Sequence, residues 1–132
     1  MENKIKHIEL IQGVINRMIN NSFLLKGWSV VLVSALFALS AKEVNLHFIY
    51  IAFFPAFAFW MLDGFFLWQE RLYRKLYDKV RMQNEDQIDF SMDASDFKKN
   101  IFWFNACFTP TLLIFHGGIL TTILIVIIVV LN

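Results

Sequence analysis

Asp63 is the only formally charged residue in Leu46–Trp68, a run that reads LHFIYIAFFPAFAFWMLDGFFLW. An ionisable group inside such a run is costly unless it is paired or wetted, so it is a functional candidate by default. Asp63 precedes Trp68 by five positions, which is about 7–8 Å along a helix. Lys26 begins the preceding apolar run at a similar depth from the same side. The two predict an ion pair that locks neighbouring helices. The sharper alternative is a gate or cation ring, with Asp63 on a water-filled path or a subunit interface. Asn105 is placed to reach the same layer from a third apolar run, and His116 lies deep within that run. A histidine there can act as a proton relay or pH-sensitive element. Its commoner role is a hydrogen bond to a neighbouring helix.

The other chemistry-bearing residues are sparse. His7 and His47 are expected at interfaces, and the three histidines differ in position and depth, which argues against a metal site. Cys107 is the single cysteine, so no intramolecular disulfide and no four-cysteine metal site can form. No nucleophile–base pattern, glycine-rich phosphate loop or metal-hydrolase motif is present. The expectation is a protein that is not an enzyme and uses no cofactor.

The elements that must position Asp63 follow from composition. Of 132 residues, 58% are hydrophobic and 17% charged, and the net charge is +1. Charge this low, with apolar residues clustered rather than periodic, predicts helices covered by lipid. The near-neutral balance gives no reason to expect nucleic acid. The predicted fold class is all-α: an integral membrane helical bundle forming one domain, with an N-terminal amphipathic helix and three transmembrane helices.

Residues 2–20 predict the amphipathic helix, with Ile8, Ile11, Ile15 and Met18 spaced by three and four. It would lie on the membrane surface or pack on another helix. Asn20, Asn21 and Ser22 predict a polar break and an N-cap. Residues 23–41 predict the first span, which would serve as an uncleaved signal anchor. Ser34 and Ala38 form a small-residue pair for close helix approach. The short connection Lys42–Asn45 makes an antiparallel hairpin with the second span, 46–68. Pro55 predicts a kink near the centre of that span.

Residues 69–81 predict a basic helix that extends the second span, with Leu72, Leu76 and Val80 every fourth residue. Arg71, Arg74, Lys75, Lys79 and Arg81 could contact anionic lipid or a protein partner. The plainer reading makes them topology signals. Residues 82–100 predict an acidic cytosolic loop, with Ser91 or Ser95 capping a short helix through Lys99. Residues 101–131 are apolar throughout, about 46 Å as a straight helix. The third span is therefore predicted to kink near Pro110, with 101–109 either inside or outside it.

Eleven of the twelve basic residues fall on one side of these spans, and only Lys42 falls on the other. The positive-inside rule then predicts a multi-pass protein of the bacterial inner membrane, N-terminus cytosolic and C-terminus outside. Trp28, Trp68 and Trp103 are expected to form an aromatic belt on the cytosolic side.

The segments HIELIQGVINRM (7–18), NSFLLKGWS (21–29) and FWMLDGFFLWQERLYRKLYDKVR (59–81) resemble a group of uncharacterised small bacterial multi-pass membrane proteins. The plan of a tight hairpin followed by a basic helix is also similar, in architecture only, to SLATT-type membrane effectors. That resemblance implies pore formation in nucleotide-triggered antiphage systems. The expected function is thus an oligomeric protein that perturbs or permeabilises the membrane, with lipid and further copies of itself as partners. The alternatives are an anchor that docks a cytosolic protein through residues 69–100, and a small ion or proton transporter using Asp63 and His116.

Overall fold

The computed structural model describes every residue except Val44. All of its elements are helical. The first helix, α1, runs from Glu2 to Glu43 without interruption. At 42 residues it is about 63 Å long, twice the thickness of a bilayer core. The expected break at Asn20–Ser22 is absent. Polar residues cost only about 0.7 kcal/mol or less each inside a helix, and no proline lies nearby to stop one. Ser22 does not cap a new helix, because its hydroxyl serves another helix, as shown below.

Of the predicted connection, Lys42 and Glu43 extend α1, Val44 lies outside the described residues, and Asn45 caps the next helix. That helix, α2, spans Leu46–Ile51, and α3 follows at Phe53–Arg81. The interruption at Ala52 is the kink expected of Pro55, displaced toward the start of the run. Proline has no N–H to give to the carbonyl of Ile51, and its ring crowds that carbonyl. The ladder resumes when Ala56 donates to Ala52. From there α3 continues straight through Gln69 into the basic segment.

The third apolar run is broken as well. A short helix, α4 (Trp103–Cys107), is followed by α5 (Pro110–Leu131). Pro110 takes the first helical position, where its missing N–H is harmless. Residues 101–109 therefore stand outside the long helix, and the predicted kink is a helix start.

Among the described residues, three helical stretches are long and apolar enough to cross a membrane: Glu2–Lys42, Leu46–Arg81 and Pro110–Leu131. Their contacts form two separate cores. One gathers Val33, Ile49, Ala52, Ala56 and Ile123 within the apolar spans. The other forms a head built on the basic part of α3. Ile11 and Ile15 of α1 pack there on Leu72, Leu76, Val80 and Ala94. The amphipathic face of residues 2–20 is thus covered by its own chain.

The 82–100 segment is not a loose loop. Ala94 is buried in the head core, and Ile88, Met92 and Phe97 pack against it. Short 3-10 turns form at Glu85–Gln87 and Ser95–Lys99, the second entered from Ala94 rather than capped by a serine. His7, expected at an interface, is instead buried beneath this segment and donates from Nε2 to the Ser91 carbonyl at 2.8 Å. Glu85 receives the start of α1: the Met1 amine lies 2.6 Å away, and the Asn3 and Lys4 amides donate at 2.8 and 3.2 Å. These contacts satisfy helix donors that have no partner within the helix and oppose the dipole with a negative charge.

Candidate functional site: a buried charged cluster

α1, α3 and α5 meet at one carboxylate. Ser22 and Lys26 stand one turn apart on α1, so both side chains project from the same face. Asp63 comes from α3, four turns below the middle of the head core. His116 comes from the second turn of α5.

The hydrogen bonds converge on Asp63. The Ser22 hydroxyl donates to Oδ1. Lys26 Nζ donates to Oδ2 at 2.6 Å and to Ser22 Oγ at 2.9 Å. His116 Nε2 lies 2.7 Å from the same Oδ2. A carboxylate only accepts, so this nitrogen must carry the proton. His116 Nδ1 has no hydrogen-bond partner among the described residues. The Asp63 and His116 side chains are fully buried, whereas Lys26 retains 19% exposure. With a neutral histidine, the cluster carries one negative and one positive charge.

Aromatic rings wall it in. The Trp60 ring, one turn before Asp63, stacks on His116 with centroids 5.9 Å apart and planes 5° from parallel. Phe115 meets His116 edge-on at 5.0 Å and also faces Lys26 Nζ at 5.9 Å, within cation–π range. These rings shield the Asp63–His116 contact, where both side chains are fully buried, so that hydrogen bond acts in a low dielectric.

The α4 segment seals the flank through three indoles. Trp68 donates to the Ile101 carbonyl at 2.9 Å, Trp103 to Met61 at 3.2 Å, and Trp60 to Cys107 at 2.8 Å. Trp68 and Trp103 thus fasten α4 to α3, which is more than the belt role expected of them. Trp28 remains largely exposed. The approach is tightest at Gly64, where an added Cβ would lie 2.2 Å from Cys107 Sγ. Only glycine lets α4 settle this close.

The expected Lys26–Asp63 pair is therefore present, and His116 joins it. Asn105 does not reach that layer. It is exposed and lines a groove with Arg71, Arg74 and Lys75. Lys79 and Arg81 are exposed and stand outside the groove. Arg81 lies 3.4 Å from Asp78. One member of the site, Ser22, and one buried residue of the head, His7, were not legible as such from the sequence. Ser22 resembled a cap, although its spacing of four from Lys26 was a usable signal. His7 continues the Ile11–Ile15 stripe at the same spacing, which marks it as a core position of the head.

The Asp63 and His116 side chains are enclosed by residues of the same chain. A cavity of about 490 Å³ does reach the edge of the cluster, lined by Ser22, Lys26, Arg71 and Thr109. Among the described residues, no group of three or more metal-binding side chains assembles. The arrangement can hold three helices in register. It can also change state if the carboxylate loses a partner. No protein-family model, curated protein or solved structure matches this chain.

Proposed function

We propose that this chain is a non-enzymatic, oligomeric protein of the bacterial inner membrane that perturbs or permeabilises the bilayer when its head is engaged from the cytosol. The observation that carries this reading is the buried Ser22–Lys26–Asp63–His116 cluster. Removing two charges from water costs several kcal/mol per ion, and apolar side chains of similar volume would hold three helices together without that cost. A polar cluster offers discrete made and broken arrangements, which a switch requires. α1 and α3 run unbroken from the head to the cluster. A tilt of the head would therefore load the Lys26–Asp63 contact directly. Because Asp63 and His116 are buried inside one chain, a conducting path would run between copies after release. Antiphage defence is what the likeness to SLATT-type effectors implies for the trigger.

The test is reconstitution of the purified chain in phosphatidylglycerol-containing vesicles, with oligomeric state and ion flux measured together. The expected result is a closed oligomer whose flux rises at least tenfold in an Asp63→Asn variant. A monomer with no flux in either form would overturn the reading.

A second reading is an accessory subunit that anchors a cytosolic partner. The ordered 82–100 segment favours it, since a segment held by Ala94 and His7 presents a fixed surface. A stoichiometric partner that co-purifies with the chain and is lost when 82–100 is replaced by a neutral linker would support this reading over the first.

A further inference from the structure

We infer that the groove between α3 and residues 100–105 binds the phosphate of an anionic glycerophospholipid. This rests on the reading that the long helices span a membrane. The groove has a volume of about 420 Å³, within the range of small-molecule sites. Arg71, Arg74 and Lys75 occupy one face of α3 at spacings of three and four and line it together. Like charges so placed repel one another unless an anion lies between them.

The existing carboxylates do not fill that role. Arg74 is held by Glu70 at 2.8 Å, and Asp78, the acidic residue in the wall, lies 3.4 Å from Arg81. Among the described residues, no carboxylate lies within ion-pair distance of Arg71 or Lys75. Asn100 and Asn105 add amide donors on the opposite wall.

Depth and apolar surface favour a lipid over a soluble phosphate. Arg71 follows Trp68 by one turn, and Trp68 ends the apolar run of α3. The groove thus lies at the level where headgroups would sit. Phe102 forms part of its wall and is 55% exposed, with Phe104 at 65% beside it. An exposed aromatic shelf next to a cationic groove suits a ligand with an anionic head and an apolar tail. The structure also divides the basic helix. Three of its five cations build the groove, while Lys79 and Arg81 lie outside it.

The test is native mass spectrometry of the full chain in nonionic detergent, titrated with phosphatidylglycerol, phosphatidylcholine or inorganic phosphate. An Arg71→Gln/Lys75→Gln variant is compared with Lys6→Gln/Lys79→Gln, which removes the same charge elsewhere on the head. Circular dichroism verifies that both retain native helicity. The expected result is one retained phosphatidylglycerol, affinity reduced at least tenfold in the groove variant and less than twofold in the control, and no competition by millimolar phosphate. Equal losses in both variants, equal retention of phosphatidylcholine, or displacement by phosphate alone would each overturn the assignment. A chain that stays monodisperse without detergent would fail the membrane reading itself, which is a separate outcome.

Discussion

His116 Nε2 lies 2.7 Å from Asp63 Oδ2, and this single contact ties α5 to α3 at a point where both side chains are fully buried. Lys26 reaches the same oxygen from α1, so one carboxylate oxygen holds three helices. Removing one member of a buried charged pair leaves the other uncompensated, at a cost of about 3–5 kcal/mol. Asp63→Ala and Lys26→Met should each destabilise the protein by that order. Together they should cost clearly less than the sum, with a coupling of about 1–3 kcal/mol. Reversible unfolding in detergent checks this. Simple additivity would show that the contact contributes nothing.

Gly64 sets the distance between α3 and α4. Its missing Cβ leaves space that Cys107 Sγ occupies, with the Cys107 backbone only slightly farther off. Gly64→Ala should push α4 outward and lower stability by about 1–3 kcal/mol, the usual range for overpacking. Cys107 is fully buried. Its reaction with a maleimide should be slow in the native chain and at least tenfold faster in the variant. Unchanged labelling would show that α4 is not held by this contact.

Glu85 gives the head a pH dependence. The Met1 amine beside it, with the Asn3 and Lys4 amides, holds its carboxyl below the ordinary value of 4.5. A depressed value means that the folded head binds the proton more weakly than the unfolded chain does. Its stabilising contribution is complete above pH 4.5 and is lost as pH falls through the lower folded value. Hydrogen exchange in the first turn of α1 should therefore accelerate below that window. A Glu85→Gln variant should show fast exchange at every pH.

The parts legible in the sequence are those fixed by spacing along one helix. Ile8, Ile11 and Ile15 announced a face, and Leu72, Leu76 and Val80 announced the face it packs on. Depth counted from Trp68 was enough to pair Asp63 with Lys26. Contacts that depend on where a helix begins were harder to see. His116 could be placed beside Asp63 only once α5 was known to start at Pro110, and residues 101–131 are apolar without a period. Gly64 gave no local signal, because its need for glycine comes from α4, which folds back from 40 residues later in the chain. Asn20–Ser22 misled because polar residues suggest a break. Here Ser22 is polar because it faces Asp63.

Labelling from either side of the membrane decides whether the three apolar helices cross a bilayer with the head on the cytosolic face. In a Cys107→Ser background, Met82→Cys lies in the head and Lys42→Cys at the far end of α1. A membrane-impermeant maleimide applied outside intact cells should label position 42. Position 82 should react only after the membrane is opened. Labelling of both positions from outside, or of position 82 alone, would contradict this topology.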